Sequence, residues 1–486
     1  MSKKTLSFPL VLIVFGLILQ IVNNSVSQQP EPTRIPDGIA EVDGKFLKRP
    51  FNPRNLSFLG NYAGVSGLSE RLYDLALLDS QGNSIHFKRF IPGEYVADAD
   101  ITSWRYKVNL KPPANPSAAA HVSWMNHDMA IIMLRDLLPQ NLGGSVRGDV
   151  WVSTPMEGKT FPSLPFSDDE LNTDNLDSVV VVLGRDLRTK RDKANGEDLK
   201  TVINGVWQFS DDDALNLSLE IFRSYSEMVG RSPHGPFQIT IAKFPVKVPL
   251  DQWEADTRGT SVLILSSDTP FKSQSIQRLH EQLRHEIFHL WIPEGVNLKG
   301  NYDWFYEGFA LYESLKVGLA VNRISFDNYL DTLSLAYDID RHDSHKLNLI
   351  EASKQRWNGA NTQVYARGML VAFLCDLALL EHSKGKTSVT DLVAELYRKY
   401  RLPAAAQDGN AAVLALMRSH PELVPIVDQY INGSGAIDWG PLLKAAGLEA
   451  DAGGRLTVSA RLAGNQKDLL DKLGYNNWRK LPRSKK

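Results

Sequence analysis

The sequence has almost no cysteine and almost no net charge, and both absences exclude classes of protein. Its 486 residues contain one cysteine, Cys375, so no disulfide can form within the chain. Cys375 lies in an apolar run with Phe373 and Leu374, which predicts a buried small hydrophobic residue rather than a reactive thiol. The formal net charge of −2 gives no basis for binding nucleic acid or an anionic membrane surface.

Long apolar runs are also scarce, and the N-terminus holds the clearest one. Lys3 and Lys4 precede the apolar run at 6–22, and small residues at 25–27 resemble a cleavage site. Residues 1–27 are therefore predicted to be a signal peptide or, because the run approaches the length that spans a bilayer, an uncleaved membrane anchor. We expect an exported protein, periplasmic or secreted, whose only membrane contact would be that segment. Residues 28–55, rich in proline and charge, are predicted to be a linker.

The remaining sequence predicts an α+β, multidomain protein. A hydrophobic fraction of 43% and a charged fraction of 23% are typical of globular proteins, and the length suits two or three domains. Residues 56–198 contain alternating apolar and polar segments, such as 84–90, 103–110 and 148–153, which predict an N-terminal β-sandwich. Residues 199–448 show two apolar strands, at 237–242 and 261–266, and several helical patterns. Residues 449–486 are predicted to be a C-terminal tail.

One predicted helix carries two histidines that can share a metal ion. His285 and His289 are four residues apart, so their imidazoles lie on one face of a helix. Glu286 is offset around the helix, close enough to hold a water molecule beside the metal. The apolar stripe that predicts this helix is Ile276, Leu279, Leu283, Ile287 and Leu290. Because the motif is short, a solvated face of histidine and glutamate is the alternative interpretation.

A third ligand is predicted in the next helix. Catalytic zinc takes three protein ligands, and two histidines with one glutamate is a known set. Seventeen residues, at 290–306, separate His289 from Glu307, which leaves room for a loop and for a helix that we expect Asp303 to cap. Glu307 would then lie in the first turn of that helix and face the histidines. The sequence therefore predicts one Zn²⁺ per chain, bound by His285, His289 and Glu307.

The two segments resemble those of the gluzincin zinc metallopeptidases, and in particular the aminopeptidase N and glycyl aminopeptidase families. The similar residues are His285-Glu286-x-x-His289-x-Trp291 and Trp304-x-x-Glu307-Gly308-Phe309-Ala310-x-Tyr312. The resemblance implies a mainly helical, thermolysin-like catalytic domain at 199–448, a bound zinc ion and a peptide substrate. It also implies that Glu286 transfers protons during hydrolysis.

A second segment carries the same resemblance. Residues 364–373 are similar to the Tyr-x-Lys-Gly segment of both families, with Arg367 in place of the lysine. The family tyrosine donates a hydrogen bond to the oxyanion, which implies that role for Tyr365. The alternative is an aromatic side chain packed at the start of a core helix.

The chain departs from both families in the segment that binds the substrate's amino group. The families have Gly-x-Met-Glu-Asn or Gly-Gly-Leu-Glu-His there, followed by a strand that borders the cleft. This chain has Trp-Glu-Ala-Asp-Thr-Arg-Gly-Thr at 253–260. Glu254, the candidate substrate-binding residue, or Asp256 would take the place of the family glutamate, whereas Arg258 would oppose it.

Three functions remain open from the sequence. The first is an exported zinc aminopeptidase, a hydrolase acting on short peptides. The second is a zinc endopeptidase or another zinc hydrolase with the same fold, favoured by the altered segment at 253–260. The third is a catalytically silent binding protein.

Overall fold

Two compact units make up the chain in this computed structural model. The structure describes residues 11–12, 38–46, 53–140, 148–154, 158–163, 166–167, 170–171, 176–344 and 347–477. The first unit comprises Met1–Arg191, Asp198–Trp207 and Pro236–Thr269, and the second comprises Asp192–Glu197, Gln208–Gly235 and Pro270–Lys486.

Some of the predicted segments fall outside the described residues. Of the predicted signal peptide or anchor, the structure describes only Val11–Leu12. Residues 28–37 and 47–52 of the predicted linker and residues 478–486 of the predicted tail also lie outside the described residues. The domain boundaries drawn from the sequence stay predictions.

Strands dominate the chain up to residue 266. In chain order they are Val11–Leu12 (β1), Ile39–Phe46 (β2), Asn55–Ser57 (β3), Asn61–Tyr62 (β4), Val65–Ser66 (β5), Leu72–Leu78 (β6), Phe87–Ile91 (β7), Glu94–Ala97 (β8), Ser103–Asn109 (β9), Trp124–Met125 (β10), Met129–Met133 (β11), Gly148–Ser153 (β12), Lys159–Pro162 (β13), Phe166–Ser167 (β14), Glu170–Leu171 (β15), Val180–Gly184 (β16), Arg188–Ala194 (β17), Glu197–Ile203 (β18), Phe237–Lys243 (β19), Trp253–Arg258 (β20) and Ser261–Ser266 (β21).

Two four-stranded antiparallel sheets of the first unit share one core. Their orders are β12-β2-β9-β6 and β10-β11-β16-β13. Val42 and Tyr106 of the first sheet are buried in one cluster with Ile132 of the second. Successive side chains of a strand point to opposite faces, so Ile131 belongs to a different buried cluster, shared with Leu263 of β21. Two sheets over one core agree with the predicted sandwich, and strands together with helices confirm the α+β class.

A five-stranded mixed sheet has most of its residues in the first unit. Its order is β17-β18-β19-β21-β20; β18, β19 and β21 run parallel, and β20 is antiparallel to β21. The strands predicted at 237–242 and 261–266 are confirmed as β19 and β21. However, β21 is paired on both sides, so the strand at that edge of the sheet is β20, which the sequence did not predict as a strand.

The second unit is built from helices. They are Asp211–Val229 (α1), Lys272–Phe288 (α2), Asp303–Ala320 (α3), Phe326–His342 (α4), Leu349–Lys354 (α5), Asn361–Ser383 (α6), Val389–Tyr400 (α7), Gly409–Arg418 (α8), Val424–Ile426 (α9), Gly440–Ala445 (α10) and Gly464–Lys472 (α11). The strands Leu298–Lys299 (β22) and Gln407–Asp408 (β23) pair in parallel, and Leu448–Ala450 (β24) pairs with Leu456–Val458 (β25).

Helix α6 is the central helix of this unit. Within the described residues it alone is long and apolar enough to cross a membrane, yet nearly all of it is buried inside the unit. Cys375 lies on α6 and is fully buried, as predicted. Arg367 is also buried, where its guanidinium binds Asp340 of α4 at 3.3 Å and the Gly435 carbonyl at 2.5 Å. These contacts give Arg367 a structural role.

Helices α3 and α6 approach closely where each has a glycine. A Cβ added to Gly308 of α3 would lie 2.3 Å from the backbone carbon of Gly368 on α6. A Cβ added to Gly368 would lie 2.6 Å from the carbonyl oxygen of Trp304. Because these neighbours are backbone atoms, no side-chain rotation can relieve the clash. The two glycines therefore set the distance between the helices.

We expect Gly308→Ala to destabilise the second unit by about 3 kcal/mol, because overpacking a rigid contact costs roughly 1–3 kcal/mol. Gly464→Ala is the matched control, since nothing lies within 4 Å of its added Cβ. Urea unfolding would measure both variants. Equal free energies of unfolding for Gly308→Ala and wild type would contradict close packing of α3 against α6 at Gly308.

Candidate active site

Helix α2 presents the two motif histidines one turn apart, as predicted. The helix ends at Phe288, but His289 keeps a helical backbone (φ −64°, ψ −18°), so its side chain lies above that of His285. Leu283 and Ile287 of the apolar stripe are fully buried. The two histidines are each only 5% exposed. The motif is therefore buried, which excludes a solvated helix face.

Glu307 of α3 meets both imidazoles. Its Oε2 lies 3.1 Å from His285 Nε2 and 3.5 Å from His289 Nε2, and the two Nε2 atoms are 3.2 Å apart. Bonds of about 2.0–2.1 Å to a tetrahedral zinc ion place ligand atoms about 3.3 Å apart. The three atoms therefore already have the spacing that zinc requires. Among the described residues, this is the one group of three or more such side chains that could hold a metal ion.

The hydrogen bond of His289 also suits a metal ligand. His289 Nδ1 lies 3.1 Å from the Ile292 carbonyl oxygen, which can only accept a hydrogen bond. The proton of a neutral His289 must then be on Nδ1, which leaves the lone pair on Nε2, toward Glu307. The donor set of two imidazoles and one carboxylate is that of a catalytic zinc site.

The electrostatics of the group favour a positive ion. Burial alone would raise the pKa of Glu307, but Arg356 and then His289 hold that pKa well below its usual value. Burial would also lower the pKa of His289, yet the Glu307 carboxylate raises it to about 9. An ionised buried carboxylate thus attracts positive charge to the place where the three ligand atoms meet.

Glu286 is buried beside the ligands, with its Oε1 3.9 Å from His285 Nε2. Tyr365 lies in the second turn of α6, and its ring centre is 6.1 Å from that of His285. Burial, and then the Glu307 carboxylate, raise the pKa of the Tyr365 hydroxyl well above its usual value. The hydroxyl therefore keeps its proton at neutral pH. The structure brings both residues to the ligand group, and their catalytic roles remain predictions.

Arg356 is a member of this site that the sequence did not reveal. Its Nη1 lies 2.8 Å from Glu307 Oε1 and 3.1 Å from Asp303 Oδ1, and its Nη2 donates to the Tyr365 hydroxyl at 2.5 Å. The sequence predicts that Asp303 caps α3. Instead Tyr302 is the N-cap residue, and Asp303 is the first helical residue, paired with Arg356. A cap was the wrong interpretation because a buried arginine competes for that carboxylate.

The candidate amine-binding residues lie in the first unit. Arg258 Nε lies 2.6 Å from Asp256 Oδ2, and His121 Nδ1 lies 3.6 Å from the same oxygen. Burial alone would raise the pKa of Asp256, but Arg258 and His121 lower it to about 2. Asp256 is thus already neutralised by a neighbouring cation. Glu254 is half-buried in β20 and makes no ion pair among the described residues. Its assignment as substrate-binding stays a prediction.

Several solved structures have the same fold as this chain. The chain is similar to an aminopeptidase N family protein from Idiomarina loihiensis, with a TM-score of 0.70 and 15% identity, over 85% of this chain and 77% of that chain. It is also similar to a variant of an M1 zinc metallopeptidase from Deinococcus radiodurans bound to a Tyr-Ser-Ala substrate, with a TM-score of 0.55 and 11% identity, over 83% and 92%. The M1 zinc metallopeptidase from the same organism gives a TM-score of 0.53 and 13% identity, over the same shares.

No family model and no curated protein matches the chain. The identities to the solved structures are low, so these similarities show the fold alone. The chain has the fold of the M1 zinc metallopeptidases, and the gluzincin resemblance is confirmed at that level.

The purified protein is expected to bind one zinc ion per chain. His285→Ala should weaken zinc binding by more than the roughly 10- to 100-fold typical of losing a residue that only supports a ligand. His234→Ala, which removes an exposed histidine of the same unit, is the control. Elemental analysis and competition with a chelator would measure both. Unchanged zinc content in His285→Ala would contradict the assignment.

Proposed function

We propose that this protein is a zinc-dependent metallopeptidase that acts as an aminopeptidase on short peptides. The observation that carries the proposal is the convergence of His285, His289 and Glu307, with Glu286 beside them, on a fold shared with zinc peptidases. One solved neighbour was crystallised with a tripeptide substrate and another with L-arginine. These complexes support a peptide substrate for this chain.

The residues of the site suit hydrolysis of a peptide bond. Zinc, when bound, would polarise the scissile carbonyl and acidify a water molecule. Glu286 would accept a proton from the attacking water and pass it to the leaving amine. Tyr365 would donate its hydroxyl proton in a hydrogen bond to the oxyanion, since the raised pKa keeps that proton in place.

An endopeptidase is the second candidate, and the strand β20 favours it. An aminopeptidase needs an anionic group for the substrate's ammonium, and Glu254 is the candidate for that role. Asp256 forms an ion pair with Arg258. The segment therefore has one acidic side chain left for an ammonium group, that of Glu254, beside the buried cation of Arg258. This charge pattern differs from the family segment whose glutamate binds the amino group.

We also propose that the protein is exported, with the N-terminal segment either removed or retained as an anchor. The support is the order of features in the sequence: two lysines, an apolar run at 6–22 and small residues at 25–27.

Replacing Glu286 with glutamine should leave zinc bound and reduce peptide hydrolysis by about 100- to 10,000-fold, the range for losing a general base. The amide has the same size but cannot take up the proton. Glu281→Gln, on the half-exposed face of the same helix, is the matched control and should hydrolyse as wild type does. Retained turnover by Glu286→Gln with zinc bound would exclude the assigned role.

Blocking the N-terminal amine of the peptide substrate distinguishes an aminopeptidase from an endopeptidase. If the protein is an aminopeptidase, a mixed peptide library should lose N-terminal residues only from peptides with a free amine, and N-acetylated copies should survive. A chelator should stop the cleavage. Internal cleavage of acetylated peptides would favour the endopeptidase. A zinc-loaded protein that cleaves neither set would favour a silent binding protein.

A further inference from the structure

Arg356 contacts both Glu307, a predicted zinc ligand, and Tyr365. We propose that it is a positioning residue that holds Glu307 and Tyr365 in the orientations required at the metal centre. The inference rests on the zinc site of the proposed function. It adds a residue that does not bind the ion and does not react with the substrate.

The two oxygens of Glu307 have different partners. Oε1 lies 2.8 Å from Arg356 Nη1, and Oε2 lies 3.1 Å from His285 Nε2. The terminal torsion of a glutamate is broad, so an unrestrained carboxylate samples many orientations. The guanidinium restrains it and keeps one oxygen directed toward the histidines. Arg356 therefore selects the oxygen that serves as a metal ligand.

The same guanidinium orients the tyrosine. Arg356 Nη2 donates to the Tyr365 hydroxyl at 2.5 Å, so this oxygen accepts one hydrogen bond and its own proton must point elsewhere. In this structure the Glu307 carboxylate is a hydrogen-bond partner of the hydroxyl, and a developing oxyanion would be the alternative acceptor during the reaction. The planar fork of arginine binds two acceptors at once with fixed spacing, which a single ammonium group cannot do.

The chain around Arg356 holds the guanidinium in place. Arg356 opens the short turn Arg356–Asn358 that links α5 to α6. Ser353 of α5 accepts a hydrogen bond from the Trp304 backbone N–H at 2.8 Å, which ties α5 to the first turn of α3. The guanidinium carbon lies 4.6 Å from the Trp357 ring centre and 5.2 Å from that of Tyr365. The side chain is only 10% exposed, so its position is fixed by packing as well as by charge.

A purely structural role is the competing explanation. Arg356 also pairs with Asp303 at 3.1 Å, and a buried arginine could simply neutralise two buried acids. Such a role would affect folding stability, and its loss would remove a positive charge that repels a metal ion. Zinc affinity and the geometry of the bound ion separate the two explanations, because loss of orientation weakens zinc binding and changes that geometry, whereas loss of charge alone does neither.

The test compares Arg356→Gln and Arg356→Lys with wild type in the full chain. Zinc affinity is measured by competition with a chelator, ion geometry by the visible spectrum of cobalt(II), and turnover with a free-amine tripeptide. We expect Arg356→Gln to bind zinc about 10- to 100-fold more weakly. Its kcat should fall by about 100-fold, with KM nearly unchanged, because Tyr365 is no longer oriented. The cobalt spectrum should shift.

Arg356→Lys retains the charge and guards against misfolding of the glutamine variant. It should recover part of the zinc affinity but not the kcat. Full recovery of both by lysine would show that charge alone is sufficient and would overturn the proposal. Arg71→Gln is the control, because it breaks another arginine–aspartate pair, Arg71–Asp136, whose two residues both belong to the first unit and are not among the predicted zinc ligands. It should lose stability but keep wild-type zinc affinity.

Two further outcomes separate this inference from the proposed function. If Arg356→Gln is less stable but has wild-type zinc affinity and cobalt spectrum, the role is structural and the proposal is wrong. If wild type binds zinc but cleaves no peptide, the proposed peptidase fails. In that case the zinc affinities of wild type and Arg356→Gln still decide the role of Arg356.

Discussion

The carboxylate of Glu307 is the constraint on which the site depends. Burying an ionised carboxylate without positive partners costs several kcal/mol, so such groups are found paired or bound to metal. Glu307 is 5% exposed and has a cation on one oxygen and two imidazoles at the other. The histidines, the arginine and the zinc expected between the ligands all satisfy one buried negative charge.

The arrangement of helices brings the remaining groups to that charge. Gly308 follows Glu307 on α3, and Gly368 lies three residues after Tyr365 on α6. Because the two helices pack backbone against backbone at these glycines, the contact between them also brings Tyr365 to Glu307. The glycines in the two motif segments therefore have a packing role, separate from the chemistry of the residues beside them.

The sequence predicted the groups whose positions depend on local spacing. One helical turn places His285 beside His289, and the three-ligand set of catalytic zinc, with room for a loop before a second helix, indicates Glu307. Arg356 was not predicted, because it lies in a short turn without periodicity and reaches Glu307 through a contact across 49 residues (356 − 307). A buried arginine nine residues before the tyrosine gives no recognisable signal in one sequence.

Strand β20 is a second feature that the sequence alone did not reveal. Glu254 is the candidate partner of a substrate amine and Asp256 the alternative, since both are acids in the altered segment. The ion pair of Asp256 with Arg258 distinguishes them, and in β20, which pairs with β21, residues two apart lie on the same face. Pairing of this kind depends on tertiary structure, as strand formation often does.

Crystallography of the zinc-loaded protein with anomalous scattering at the zinc edge would test the central claim most directly. The expected result is one zinc peak about 2.0–2.2 Å from Nε2 of His285, Nε2 of His289 and one oxygen of Glu307, with Arg356 still on the other oxygen. A zinc peak at other residues, or a Glu307 that points away from the bound ion, would contradict it.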